Sequence, residues 1–306
     1  MHGELTKSVI AVPPLARHQD LSLNHSANTA LIRHLEEGGV STLMYGGNAN
    51  FYNVSIGEYG KILDMLLKAA AGSTWIIPAI GPDFGKMMDQ ADILRSSPCP
   101  TPMVLPASGI FTVAGVADGI ARVAERLGRP VIVYLRAENY LTPEAVASLF
   151  AAGVVTAVKY AIVREDPRQD AYLERLMSMV DSSRIISGMG EGPALVHWRQ
   201  FGLRAFTSGS VSIAPKSSTA ILDALKAGDF GKAERLREAF LPFERLRDSI
   251  NPIRVLHDGV SLSGVADMGP ILPLLSPLDA SERSLVEPAA RDLLRLNGAM
   301  EAEAVA

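Results

Sequence analysis

Apolar positions along the chain follow two alternating patterns. Short runs rich in β-branched residues predict strands, and there are eight of them: Lys7–Val12, Thr42–Tyr45, Trp75–Ile80, Met103–Pro106, Val131–Leu135, Thr156–Tyr160, Arg184–Ser187 and Arg204–Thr207. Longer segments between them carry apolar residues at i, i+3 and i+4, which predicts helices: Ala27–Gly38, Ile56–Ala71, Phe84–Leu94, Val113–Leu127, Pro143–Ala152, Ala171–Val180 and Ala194–Phe201. The chain is therefore expected to alternate strand and helix.

Helix-boundary residues support this division. Thr142 followed by Pro143 and Glu144 is typical of an N-cap with proline at the first helical position. Glycine stands where four of the helices should end: Gly72, Gly128, Gly153 and Gly202.

Strand and helix units in this order predict a parallel sheet with right-handed crossovers, and eight units close it into a (β/α)8 TIM barrel. The alternative is an open doubly wound sheet. That fold usually carries a glycine-rich phosphate turn after its first strand, whereas this chain has Val12-Pro13-Pro14-Leu15 there.

The chain continues well beyond the eighth strand. Helical patterns cover Ser218–Ala227, Lys232–Asp248 and Glu282–Leu296, with a Pro- and Gly-punctuated stretch, Asn251–Pro277, between the last two. We predict a barrel over residues 1–215 and a C-terminal helical extension over residues 216–306, packed on the barrel as one structural domain.

Composition excludes several classes of protein. The net charge of −4 and the absence of a Lys/Arg block argue against nucleic-acid binding. Cys99 is the only cysteine, and the six histidines show no HxxxH or HxH spacing, so neither a metal site nor a cofactor is expected. Neither an N-terminal signal pattern nor an apolar run of ~20 residues is present, which predicts a cytoplasmic protein without membrane contact.

In such a barrel the active site lies at the carboxyl ends of the strands. Lys159 ends an almost wholly apolar strand. Burial disfavours the ammonium ion and lowers the pKa, which prepares the amine to attack a carbonyl. The alternative is a lysine that leaves the strand end to form a salt bridge.

Other strand ends offer partners for this lysine. Tyr134 ends the fifth strand, where a phenol is able to relay protons, although a core tyrosine with a bonded hydroxyl is the plainer interpretation. The loop after the second strand, with Gly47 and Asn48, offers N–H groups to a carboxylate. Small polar loops after the seventh and eighth strands suit a hydroxylated or carboxylated substrate and supply the further candidates Gly188, Glu191, Thr207 and Ser208. Ordinary turns at a barrel mouth have similar compositions.

Taken in order, these pieces resemble the dihydrodipicolinate synthase / N-acetylneuraminate lyase family of class I aldolases and dehydratases. The resemblance covers most of the chain and is carried by Asp20 after the opening strand, Leu31–Gly39 leading into Tyr45-Gly46-Gly47, Tyr134, Val158-Lys159, Ile186-Ser187-Gly188, Val211–Pro215 and Asn251-Pro252-Ile253 running on to Leu272-Pro273-Leu274. It implies that Lys159 forms a Schiff base with a pyruvate-like 2-oxo acid and that Tyr134 moves protons.

The chain also departs from the family pattern at three loops. Gly46–Asn50 replaces Gly-Thr-Thr-Gly-Glu, which leaves the N–H groups of Gly47 and Asn48 and the Asn48 amide to hold a carboxylate. Pro106–Gly109 replaces the Pro-Tyr-Tyr-Asn of the synthases, and Leu135–Tyr140 replaces the loop with the arginine that binds the second substrate, with Arg136 displaced from its place. The synthase reaction itself is therefore not expected.

Three hypotheses follow. The first is a Schiff-base lyase, an aldolase or dehydratase, acting on a pyruvate-like or sugar-derived 2-oxo acid. The second is a non-catalytic family member that binds a small carboxylate as a sensor. The third is an unrelated barrel enzyme using a metal or a phosphate loop, for which the sequence has no motif. The resemblance also implies a homo-oligomer, a tetramer or dimer, although the changed Pro106–Gly109 loop lies where subunits would meet.

Overall fold

The computed structural model describes residues 2–305, and side chains within residues 3–299. Its strands are β1 Ile10–Ala11, β2 Thr42–Tyr45, β3 Trp75–Ile80, β4 Met103–Val104, β5 Val131–Leu135, β6 Val155–Tyr160, β7 Ile185–Ser187 and β8 Thr207–Ser208. Its helices are α1 His2–Leu5, α2 His25–Glu37, α3 Ile56–Ala69, α4 Phe84–Arg95, α5 Val113–Leu127, α6 Pro143–Ala151, α7 Ala171–Met177, α8 Glu191–Phe201, α9 Pro215–Ala227, α10 Phe230–Ser249, α11 Pro252–Ser263 and α12 Ala280–Val305. Short 3-10 turns cover Phe51–Asn53, Ser182–Arg184 and Ser210–Ser212.

The strands form a parallel barrel. Their order around the sheet is β7-β6-β5-β4-β3-β2-β1-β8. The remaining gap, between β7 and β8, is bridged by Ser187 and Phe206 and by a 2.9 Å hydrogen bond from Ser187 N to Ala205 O. The predicted (β/α)8 TIM barrel is confirmed, and the open doubly wound alternative is excluded.

Element boundaries show where the hydrophobic pattern was sufficient. The structure has β2, β3, β5 and α5 at their predicted bounds. It has β1 and β8 as two-residue strands, because only Ile10–Ala11 and Thr207–Ser208 pair with neighbours. Thr112 and Thr142 cap α5 and α6 through their side-chain oxygens, and Gly128 ends α5 in the left-handed region at φ 76°.

The strand registers decide which side chains enter the barrel. Lys159 pairs with Tyr134 on one side and Ile186 on the other, so these three share the inner face. Tyr160 points outward and contacts the helix layer, where its hydroxyl donates to Asp170 at 2.6 Å. Ser187 and Phe206 share the outer face with it, so alternation places Thr207 on the inner face and Ser208 on the outer.

The C-terminal region contains one helix more than the pattern predicted. The structure shows α9 as the eighth helix of the barrel, following β8, so the extension we propose consists of α10, α11 and α12. The stretch Asn251–Pro277 contains α11, whose start is fixed by the Asn251 side chain accepting from Ile253 N and Arg254 N. Met1 and Ala306, the ends of the two predicted segments, lie outside the described residues. In residues 2–305, no helix is both long and apolar enough to cross a bilayer.

Candidate active site

Lys159 lies at the carboxyl end of β6, inside the barrel. Only 5% of the residue is exposed, and its Nζ lies 4.4 Å from the centroid of the Tyr134 ring on β5. The ladder between β5 and β6, which pairs these two residues directly, fixes this contact. The two residues expected to form the catalytic pair are therefore neighbours in space.

The surroundings of Lys159 favour the neutral form of its amine. Burial, followed by the positive charges of Arg136 and Arg247, lowers the pKa of Lys159 to about 7. A substantial fraction of the amine is therefore neutral near physiological pH. These influences include no carboxylate, so the structure disfavours the salt-bridge alternative for this lysine.

Tyr134 has the opposite shift. Burial raises the pKa of its phenol to about 12, although Arg136 and Arg247 oppose the shift. The hydroxyl therefore stays protonated at neutral pH, which is the state that a proton donor requires.

Two further residues stand beside this pair. Arg136 directly follows β5, and its positive charge opposes the rise in the pKa of the Tyr134 and Tyr52 phenols that burial causes. The Tyr52 ring also lies 3.6 Å from the place that a Cβ on Gly47 would take. Tyr52 and Arg136 share the lining of a mouth cavity of about 460 Å³ with the Pro106–Ser108 loop. Tyr52 is not predictable as a site residue, because its 3-10 turn after β2 carries no apolar periodicity.

The loop after β2 is built closely on the barrel. A Cβ on Gly46 would lie 2.7 Å from Met103 Cε, so the end of that side chain would have to shift to admit it. The carbonyls of Gly46 and Gly47 accept from Phe51 N and Asn50 N, and one N–H of the Asn48 amide donates to Val12 O at 2.8 Å. Within residues 2–305 the backbone N–H groups of Gly47 and Asn48 donate to no other group, so both remain available to a ligand.

Gly188 occupies a different place from the one expected for a ligand donor. Its N–H donates to Tyr160 O at 2.7 Å, and a Cβ there would lie 2.7 Å from that oxygen and 3.0 Å from Lys159 Cγ. The residue therefore makes room for the stem of Lys159, and its own N–H is already used.

The candidate residues Thr207, Ser208 and Glu191 lie on two different faces of the barrel wall. Thr207 is on the inner face, and its Oγ1 is buried without a partner among the described residues. Ser208 and Glu191 are fully buried behind the wall, where the Ser208 hydroxyl accepts from Val211 N and Glu191 accepts from the Ser218 hydroxyl at 2.6 Å. Burial, together with the charge of Glu244, raises the pKa of Glu191. Nowhere in the described part of the chain do three or more His, Cys, Asp or Glu side chains form a group that suits a metal ion.

A charged pair from α10 completes the far side of the mouth. Arg247 Nη1 donates to Glu244 Oε1 at 2.9 Å, and Glu244 also accepts from the Ser210 hydroxyl. A Cβ on Gly190 would lie 3.0 Å from Glu244 Oε2, and one on Gly209 would lie 2.7 Å from Arg247 Nη2. Acidic and basic residues alternate along Lys232–Arg247, which predicts an exposed helix face, whereas this pair is buried.

Comparison with known proteins agrees with this geometry. A family model described as the dihydrodipicolinate synthetase family matches residues 6–292. A Streptomyces coelicolor protein named "Probable 5-dehydro-4-deoxyglucarate dehydratase 2" is 25% identical over 249 residues, which cover 78% of this chain and 74% of that protein.

Solved structures share the fold at lower identity. Dihydrodipicolinate synthase from Bacillus clausii superposes with a TM-score of 0.84 at 21% identity, covering 95% of this chain and 98% of that one. The sialic acid aldolase of Ruminococcus gnavus reaches 0.83 at 13% identity, covering 96% and 99%. With the matched family model and the dehydratase relative, the chain is a lyase of the class I aldolase or dehydratase type. It belongs to the dihydrodipicolinate synthetase family.

Proposed function

We propose that this lyase forms a Schiff base through Lys159 with a sugar-derived 2-oxo acid and eliminates water from it. The observation that carries the proposal is the Lys159 amine, buried in the barrel beside Tyr134 with a pKa lowered to about 7. A buried lysine without a carboxylate partner is costly to the fold, and a carbonyl substrate is the chemistry that uses it.

The reaction begins at the 2-oxo carbon. The neutral Lys159 amine attacks C2, the carbinolamine loses water, and a protonated imine forms. Tyr134, left as a phenolate after giving its proton to the departing carbinolamine oxygen, accepts the C3 proton, which gives an enamine. The phenol then passes this proton to the C4 hydroxyl, which leaves as water and gives the unsaturated imine. Hydrolysis of the unsaturated imine releases the product and regenerates the amine. Tyr134, protonated at neutral pH, supplies protons to the departing oxygens.

The substrate is held at both ends in this proposal. The free N–H groups of Gly47 and Asn48 bind the C1 carboxylate, and Thr207 Oγ1 on the inner face meets the distal hydroxyls. Ser208, Glu191 and Gly188 contribute through the wall. Ser208 holds the turn after β8 through Val211 N, Glu191 joins α8 to α9 through the Ser218 hydroxyl, and Gly188 leaves space for the Lys159 stem.

Dehydration is favoured over aldol cleavage by the named activity of the Streptomyces coelicolor relative. Aldol cleavage is the second candidate, and its support is the fold shared with a sialic acid aldolase. A non-catalytic sensor is disfavoured, because Lys159 and Tyr134 are both in place. We further propose a homo-oligomer, a tetramer or dimer, as the family resemblance implies, and a cytoplasmic location, as the N-terminal sequence and the apolar runs predict.

Trapping tests the proposal directly. Borohydride added with a panel of 2-oxo acids, pyruvate included, is expected to reduce the imine to a stable secondary amine on Lys159, located by peptide mass spectrometry. Lys159→Met should lose the adduct, whereas Lys61→Met, which changes an exposed lysine on α3, should keep it. No adduct with any acid of the panel would refute the Schiff-base mechanism.

A further inference from the structure

Arg247 is the least expected charge at the barrel mouth. It belongs to α10, outside the eight βα units, yet its guanidinium occupies the space where a side chain on Gly209 would lie, 2.7–2.9 Å from that Cβ position. Gly209 directly follows β8. The helix beyond the barrel therefore places a cation at the carboxyl end of a barrel strand.

A chain of contacts connects this cation with the nucleophile. Gly188 lies against the Lys159 stem, and two residues further on Gly190 lies against Glu244, the ion-pair partner of Arg247. The loops after β7 and β8 thus pack against Lys159 on one side and against the Glu244–Arg247 pair on the other. In agreement, the charge of Arg247 acts on both Lys159 and Tyr134.

The guanidinium is held rigidly but is not fully used. Nη1 donates to both oxygens of Glu244, at 2.9 and 3.2 Å, and Nε points to Pro252 O at 3.4 Å. Nη2 forms no hydrogen bond within the described residues, although Arg247 as a whole is only 7% exposed. A buried arginine with one free edge fits a further oxygen anion.

Charge balance indicates the kind of anion. The positive charges of Arg136 and Arg247 both act on the Lys159 amine, Glu244 offsets one of them, and the imine on Lys159 adds another. Glu191, behind the wall, adds less negative charge than an ordinary carboxylate because its pKa is raised. A substrate with a single carboxylate therefore leaves positive charge at the mouth, whereas a second carboxylate offsets it.

We propose that Arg247 binds the distal carboxylate of the substrate, so that the enzyme selects 2-oxo dicarboxylates over monocarboxylates. This inference rests on the proposed function, in which Lys159 takes the 2-oxo group and the Gly47–Asn48 loop takes the C1 carboxylate. Glu244 is then a positioning residue that fixes the guanidinium.

Two substrates with the same carbon chain test the selection. One is a 3-deoxy-2-oxo aldarate, with a carboxylate at each end, and the other is the 3-deoxy-2-oxo aldonate, whose distal end is a hydroxymethyl group. The wild type should have a kcat/KM at least about tenfold higher for the diacid, which corresponds to one charge-assisted hydrogen-bonded contact.

Variants assign this preference to one residue. At about pH 9, where the Lys159 amine is neutral with or without the charge of Arg247, Arg247→Met should lower kcat/KM about 10- to 100-fold for the diacid but less than about threefold for the monoacid, with most of the change in KM. Arg247→Lys keeps the charge without the guanidinium fork and should recover part of the loss. Arg245→Met, an exposed arginine on the same helix, is the matched control and should change neither value.

Three outcomes overturn the inference: a wild type that prefers the monoacid, an Arg247→Met variant that loses both activities equally, or one that loses neither. Should Arg247→Met fail to fold, the wild type decides by itself, since glutarate should then inhibit more strongly than butyrate. Pyruvate has no distal group and is expected to be trapped on Lys159 in every folded Arg247 variant. The absence of an adduct with every acid of the panel refutes the proposed function, whereas an adduct without selection between the two substrates refutes only the role of Arg247.

Discussion

The barrel mouth has two sides that are built by different means. On the β5–β6 side, Lys159 and Tyr134 come from paired strands, and the ladder register fixes their distance. On the β7–β8 side, glycines at 188, 190 and 209 leave space, and side chains from elsewhere fill it: the Lys159 stem, Glu244 and Arg247.

In the mechanism we propose, the strand side carries the chemistry and the loop side selects the substrate. A reacting pair requires a fixed distance, which strands provide because their backbone hydrogen bonds leave little freedom. A substrate-recognition surface has to differ between enzymes with different substrates. Side chains on a helix that packs on glycine-rich loops are open to substitution without disturbing the barrel. The same scaffold is thereby able to hold one amine and receive different acids.

The largest effect should come from the strand side. Tyr134→Phe removes the proton donor but keeps the ring beside Lys159, so kcat should fall about 10²- to 10⁴-fold while borohydride still traps the imine. The trapped fraction reports imine formation, and single-turnover rates report the proton transfers that follow, so the two measurements together separate these steps. A kcat within a few-fold of the wild type would mean that another group, such as Tyr52, moves the protons.

Gly188 is the residue where the two sides meet. Gly188→Ala places a Cβ 2.7 Å from Tyr160 O and 3.0 Å from Lys159 Cγ, so we expect a loss of about 1–3 kcal/mol in the free energy of unfolding from overpacking. The displaced amine should also lower kcat about tenfold or more, since catalysis is sensitive to shifts of that size.

Gly192→Ala is the control for this variant. A Cβ at Gly192 meets nothing within 4 Å, and the residue lies in α8, so alanine there should stabilise the helix by up to about 1 kcal/mol. Denaturant unfolding and steady-state kinetics of both variants check the contrast. If the two alanine variants have the same free energy of unfolding and the same kcat, the packing of Gly188 does not position Lys159.

The two sides also differ in how far they are predictable from the sequence. A lysine that ends an apolar strand is conspicuous in the sequence, and the eight-unit pattern places it at the barrel mouth. Tyr134 ends the neighbouring strand, so the sequence predicts both residues for the same end of the barrel. The pattern also gave the barrel, with three strands at their correct bounds. Glu244 and Arg247 were missed because the α10 pattern mixes charges and apolar residues as an exposed helix does. Only tertiary packing against Gly190 and Gly209 shows that these two charges are buried.

The smallest expected effect is a shift in the pKa of Lys159, which is sensitive to charges on both sides of the mouth. At this residue the folded pKa is below the unfolded value, so the neutral, reactive amine predominates only above about pH 7. The rate kcat/KM should therefore rise with pH through about 7. Fold stability should rise as well between about 7 and the unfolded pKa of 10.5, because in that window the unfolded chain binds the proton that the folded chain does not.

Removing either arginine raises the pKa of Lys159, since a nearby positive charge is lost, and moves the acidic limb of the rate profile to higher pH. The shift should be below about one unit for each variant. It should be larger for Arg136→Met, on the strand side, than for Arg247→Met, because Arg136 has the larger influence on the amine. Profiles recorded with pyruvate trapping avoid any contribution from binding of a distal carboxylate. If the pKa of Lys159 shifts only in Arg136→Met, Arg136 on the strand side sets this pKa and Arg247 serves selection alone. If the shifts are equal, both arginines lower the pKa of the amine to the same extent.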